Sequence, residues 1–216
     1  MTSAPPGPAG SASRLRAAAT LRRLTERFLC HDVDDEALDE LAATLDGLTG
    51  QLAAGAPRRR SFAEIVTEPD APEIADGGVV DHYDQCFVTG AAHPAGLAAT
   101  VRRRGGAIEL RTRIPVTFEG MPGYAHGGVL AAVFDDLIGL MTGRVERVPA
   151  PTVQLEVTFR RPVPLDTPVC FRAELTGADG RKRTVTVSAW VGETLHATAT
   201  GILVVLTAEQ LANMSG

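Results

Sequence analysis

Residues 120–143 read GMPGYAHGGVLAAVFDDLIGLMTG, and this stretch decides how the rest of the chain is read. Val129, Leu130, Val133, Phe134, Leu137, Leu140 and Met141 recur at three and four residues, the spacing of one apolar helix face. A helix over 126–142 is predicted. With Asp135 set at zero and about 100° per residue, Gly128, Ala131, Ala132, Ile138, Gly139 and Thr142 fall on its side. All but Ile138 are small, and small residues let another backbone or a ligand approach closely. Both sides of the helix are therefore expected to be buried. A carboxylate in such a place costs desolvation energy unless it is hydrogen-bonded, so Asp135 is either a structural side chain or a functional one. Asp136 lies one step round, at the edge of the apolar stripe, and reads as structural.

The start of this helix is equally informative. Gly127 and Gly128 leave backbone N–H groups uncovered by side chains, at the end where the first four have no intrahelical acceptor and the dipole is positive. A developing oxyanion can sit there, although paired glycines also serve tight turns. Gly128 and Asp135 are seven residues apart, about 10 Å at 1.5 Å per residue. One helix cannot easily bring both to a single carbon atom. Two such helices running antiparallel in a two-fold dimer can, with Gly128 of one chain meeting Asp135 of the other.

Outward from the helix the chain reads as strands. Runs at 79–88, 96–103 and 107–117 precede it; 152–160, 168–177, 181–191 and 194–206 follow. In TVTVSAWV (184–191) the apolar residues alternate, so one sheet face is buried. Asp179-Gly180 and Gly192-Glu193 sit between alternating runs and mark tight hairpins. Tightly connected strands are antiparallel, and one helix must cover their apolar face. The expected fold is α+β, an antiparallel sheet wrapped around a central helix, over residues 77–207, with a C-terminal tail at 208–216.

The first 76 residues differ in texture. Residues 1–13, rich in proline and small residues, read as a disordered tail. Residues 14–29 and 34–53 carry leucine stripes at helical spacing, with Asp34 a plausible N-cap. The first is basic (Arg14, Arg16, Arg22, Arg23 and Arg27 against Glu26), whereas residues 32–46 hold seven acidic residues and no base. An antiparallel helical hairpin over 14–55 follows, with a linker at 56–76 that holds Arg58-Arg59-Arg60. A DNA-reading helix pair would need a basic second helix, and here it is acidic.

Composition narrows the function classes. The 216-residue chain carries 21 basic and 26 acidic residues, a balance that disfavours a nucleic-acid binder. No run approaches the length of a membrane span, and MTSAPPGPAGSASRLR has no apolar signal core, so a cytoplasmic protein is expected. Cys30, Cys86 and Cys170 are too scattered for a disulfide framework or zinc site, and His31, His82, His93 and His196 lack metal-ligand spacing. His82 and Cys86 stand four apart, but on a strand they would not form a nucleophile pair. No phosphate-cradling loop or nucleophile-elbow serine is present. Neither a metal nor a cofactor is expected.

HGGVLAAVFDD (126–136) resembles the signature of the PaaI-like hotdog-fold thioesterases, where His-Gly-Gly opens the central helix and an acid follows nine residues after the His, at Asp135. CFVTGAAHPAGL (86–97) and PTVQLEVTFRRPVPLDTPVCFRAEL (151–175) resemble the flanking segments, so the likeness covers about 77–206. It implies hydrolysis of acyl-CoA thioesters by a homodimer or a dimer of dimers. His126, Gly127 and Gly128 match the oxyanion end of the helix. Asp135 matches the acid that activates water or attacks the thioester directly, and Thr152 matches a threonine that helps position the nucleophile. Bacterial aromatic-acid relatives have an Asn six residues before the His; here that position is Gly120. Arg160, Arg161, Arg181, Lys182 and Arg183 flank strand ends and are candidates for CoA phosphates or ordinary surface charge. The alternatives are a non-catalytic acyl-CoA-binding regulator and a hotdog acyl-thioester dehydratase or hydratase, whose motifs are not found. A chain starting near residue 70 is expected to fold, dimerise and hydrolyse.

Overall fold

The computed structural model describes residues 11–57, 72–81 and 83–214. His82, Arg58-Arg59-Arg60 and most of the expected N-terminal tail and linker lie outside them.

The helix of the 120–143 stretch runs over Gly127–Leu140, α3 in chain order, and then widens its ladder into a π-turn at Met141–Glu146. Val129, Leu130, Val133, Phe134, Leu137, Ile138 and Leu140 are buried on it. They face a six-stranded antiparallel sheet of β1 (Val101–Arg104), β2 (Ala107–Thr112), β3 (Thr152–Phe159), β4 (Val169–Asp179), β5 (Lys182–Val191) and β6 (Thr194–Val204). The strand order is β1-β2-β4-β5-β6-β3. Phe134 meets Phe171 of β4 edge to face, ring centroids 5.7 Å apart, at the centre of the core. This is the hotdog architecture expected from the sequence.

The hairpins turn at glycines, two of them, Gly180 and Gly192, where the sequence placed them. Gly180 (φ 52°) joins β4 to β5, Gly192 (φ 58°) joins β5 to β6, and Gly105 (φ 58°) joins β1 to β2. Gly201 of β6 serves a different purpose. A Cβ there would stand 2.6 Å from Ile138 Cδ1 and 2.8 Å from Ile138 Cγ2, so the missing side chain is what lets α3 sit this close to the sheet. Gly201→Ala is expected to cost about 1–3 kcal/mol through overpacking, read as a lower denaturant midpoint at unchanged slope.

Three sequence expectations need correction. Residues 83–96 form a series of turns where 79–88 was expected to be strand; Val79 forms an isolated bridge to Arg102, and Val80 N donates to Val101 O beside it. The strand expected at 96–103 is confined to β1, and that at 107–117 ends at Thr112. Pro115 has no N–H to give a ladder, and Val116–Phe118 wind into a 3-10 turn. The domain also reaches further back than residue 77. Arg103 donates to Ile74 O and pairs with Glu73, so the end of the expected linker docks on β1. Residues 208–214 form α4 (Ala208–Met214) rather than a tail. A capping box starts it: Thr207 Oγ1 accepts from Gln210 N, and Gln210 Oε1 accepts from Thr207 N.

The N-terminal helices exist, but they do not pair as complementary charge suggested. They are α1 (Ala12–Cys30), capped by Ser11, and α2 (Asp35–Ala53), capped by Asp34. Among the described residues no ion pair joins them, and α2 buries nothing; Leu48 and Leu52 are exposed on it. The tertiary contacts of α1 go instead to the 116–118 turn, with Ala18 buried.

Candidate active site at the start of the central helix

His126 is the N-cap of α3. Its backbone is extended (φ −66°, ψ 133°), and its Nδ1 accepts a 2.9 Å hydrogen bond from the Gly128 N–H. That bond puts the imidazole proton on Nε2, because a nitrogen accepting from an amide carries none itself. The N–H expected to polarise a carbonyl is thus held by the neighbouring imidazole, a detail the sequence did not show.

At both glycines of the cap, side chains pack close to where a Cβ would stand. A Cβ on Gly127 would lie 3.2 Å from the Phe159 ring, and one on Gly128 would lie 2.9 Å from His126 Nδ1. Gly120 is similar: a Cβ there would lie 2.9 Å from His126 Cα and 3.3 Å from its Cβ. Asparagine therefore cannot occupy position 120 without displacing His126, which explains physically why this chain carries glycine there.

Next to the cap lies a cavity of about 270 Å³ lined by Phe87, Thr117, Phe118, Glu119, His126, Gly128 and Val129. Its walls are mainly apolar and aromatic, with the capped helix end at one side. Phe87 meets Phe118 edge to face at 5.9 Å. The sequence reading missed Phe87 and Phe159, which stood in segments expected to be plain strand, and Phe118, just past the end of one. The HPAG turn at 93–96 was the available signal that Phe87 leaves the sheet.

Asp135 is exposed and has no hydrogen bond or ion pair among the described residues. Gly128 is exposed as well, and Ala131, Ala132 and Gly139 are half-buried. The expectation that both sides of the helix are buried fails within a single chain, because among the described residues no element crosses this face. Asp136 is half-buried and accepts a hydrogen bond from Cys86 Sγ at 3.0 Å, which fits the structural role read for it. Cys170 is half-buried, and burial pushes its thiol up from the ordinary value, so it is a poor nucleophile.

The remaining predicted residues divide between the two ends of the sheet. Phe159 at the end of β3 lies over Gly127, while Thr152 starts the same strand seven residues away, about 23 Å at 3.3 Å per residue. Arg160 and Arg161 follow Phe159 at the His126 end, exposed and without side-chain partners among the described residues. Arg181, Lys182 and Arg183 lie at the other end, where Lys182 pairs with Val204 across the β5–β6 ladder. Arg181 is spent on Val205 O and Gln210 Oε1, and Arg183 on Glu146 and two backbone carbonyls. The five basic residues therefore do not form one phosphate site in the chain. Among the described residues there is no group of three His, Cys, Asp or Glu able to hold a metal, and no helix is long and apolar enough to cross a membrane.

Residues 122–197 match the family model of the Thioesterase superfamily. Over 94 residues the chain is 34% identical to the acyl-coenzyme A thioesterase THEM4 of Bos taurus, covering 43% of this chain and 38% of that protein. The Mus musculus counterpart is 32% identical over 94 residues, covering 43% and 40%. The chain thus spans less than half the length of these curated relatives. A crystal structure of a thioesterase superfamily protein superposes with a TM-score of 0.73 at 25% identity, covering 94% of both chains.

Proposed function

The hotdog domain of this chain belongs to the thioesterase superfamily, and from that premise we propose that the protein hydrolyses acyl-CoA thioesters to free acid and CoA. One observation carries the reading. An apolar cavity ends at the capped N-terminus of α3, and the same helix presents a carboxylate without a partner among the described residues, Asp135, on the face where Gly128 is exposed.

The acyl group enters between Phe87, Phe118 and Val129, and the thioester carbonyl comes to rest at the helix end. Its oxygen takes the Gly128 N–H in place of His126 Nδ1, and the positive end of the helix favours the charge that develops there. His126 then has a free Nδ1 and a proton on Nε2, a second donor for the same oxygen. Asp135 acts as general base: it accepts a proton from water, the water oxygen bonds to the carbonyl carbon, and the C–S bond breaks. The departing sulfur takes up that proton. The open face of α3 and the long Gly128–Asp135 separation favour a homodimer in which Asp135 comes from the second copy. Val153 (61% exposed) and Phe159 (54%) stand on β3, which among the described residues has no strand beside its outer edge, and pairing of two such edges would cover them. Thr152 and Asp135 would then serve a site whose Gly128 and His126 belong to the other chain. Arg160 and Arg161, next to Phe159, are the basic residues best placed for CoA phosphates.

A panel of acyl-CoAs assayed by free-thiol release tests the reading. Turnover of at least one is expected. Tight acyl-CoA binding with no thiol released would replace the enzyme by a binding protein, and neither binding nor release would remove both.

A further inference from the structure

We propose that α1 is a positioning element of the acyl pocket: Arg22, clasped to the 91–93 turn, fixes the aromatic wall formed by Phe87 and Phe118 and so selects the acyl group. The inference rests on the thioesterase reading for its substrate. The brace itself rests on contacts.

Arg22 Nη1 donates to His93 O at 2.6 Å and to Ala91 O at 3.1 Å. Beside it, Thr25 and Glu26 of α1 face Pro94, Ala95, Gly96, Pro115, Thr117 and Phe118 across a narrow recess. Thr117 and Phe118 are also walls of the acyl cavity. The helix and the cavity thus lie on the two sides of one short turn. The clasped turn reaches the cavity by a second route. The His93 ring meets Phe87 edge to face at 5.7 Å, and Phe87 in turn meets Phe118.

The 84–97 loop is tight within itself. A Cβ on Gly90 would lie 2.3 Å from Cys86 N, and one on Gly96 would lie 2.6 Å from Phe87 O. Leu97 N donates to Phe87 O, and Ala92 N donates to Asp84 O. The loop therefore shifts as a body when released, and what it carries into the cavity is the Phe87 ring. Two carbonyls on its outer side accept from one guanidinium, which burial draws below its ordinary value while nearby Glu26 supports its charge. Charge-assisted bonds of this kind are among the stronger ones a surface turn can have. The basic face of α1, read from the sequence as a complement to α2, is here engaged by the pocket wall. A chain starting near residue 70 would consequently lose the brace.

The test uses the full chain. In Arg22→Ala, hydrogen exchange at the Ala92 and Leu97 amides is expected to accelerate about tenfold, with α3 amides unchanged. The KM for acyl groups long enough to reach Phe87 should change about tenfold, the KM for acetyl-CoA less than about twofold, and kcat little. Arg22→Lys, which keeps a charged donor, should stay within about threefold of the parent in both measurements. Unchanged exchange at Ala92 and Leu97 in Arg22→Ala would overturn the brace. Accelerated exchange with the same KM change for every acyl group would overturn its role in selection. If the parent protein hydrolyses no thioester, the exchange result still decides the brace, and only the thioesterase reading falls.

Discussion

Asp135→Asn is expected to fold like the parent chain and to lose at least a hundredfold in kcat, the lower end of what a positioned general base contributes, about 10²–10⁴-fold. The side chain is exposed and makes no bond among the described residues, so its replacement by a nearly isosteric amide disturbs no packing. An amide nitrogen or oxygen cannot take the proton from water. Asp136→Asn should behave in the opposite way. Asp136 accepts from Cys86 Sγ at the root of the 84–97 loop, so its loss is expected in stability and only mildly in kcat. Parallel measurement of kcat and of the unfolding midpoint on the two variants separates the roles. A larger kcat loss at Asp136 would transfer the base to it.

His126→Ala should lower kcat by about 10²–10³, the range for removal of one oxyanion donor. It would act twice in the proposed reaction, because the imidazole holds the Gly128 N–H and would supply Nε2–H to the carbonyl oxygen. The cap alone is worth about 1 kcal/mol of stability, so a modest fall in midpoint should accompany the kinetic loss. His126→Asn keeps a capping side chain and should restore the midpoint while leaving most of the kinetic loss. Full recovery of kcat by that variant would reduce His126 to a structural cap.

How much of this was legible in the sequence depended on whether the signal was periodic or conformational. The period of Val129 to Met141 placed α3 to within two residues, and the alternation of 184–191 with Gly180 and Gly192 placed the hairpins. Asp135, Gly128 and His126 were visible as residue types at helix spacing. Their environment was not, because helical periodicity sorts faces without saying what covers them; a single chain leaves the Asp135 face open. The 84–97 loop was misread because Cys86, Phe87 and Val88 have the composition of a strand, and only the glycines packed against backbone show that they turn. Charge complementarity between α1 and α2 was real arithmetic with no geometric content. Screened surface charges pair weakly, and Arg22 found two backbone carbonyls in the 91–93 turn. The grouping of five basic residues failed for a similar reason. Arg160 and Arg183 both flank strand ends, yet the antiparallel path of the chain sends them to opposite ends of the sheet.

The composite site is the claim from which the rest of the mechanism follows, and subunit mixing addresses it directly. Asp135→Asn and His126→Ala proteins, each nearly inactive, are combined in equal amounts, and exchange is followed by mass. Random exchange makes half the molecules heterodimers, each with one site whose two halves are intact, so thiol release from acyl-CoA should rise to about a quarter of the parent rate. Confirmed exchange with no recovery would contradict the account and return His126 and Asp135 to sites built within one chain.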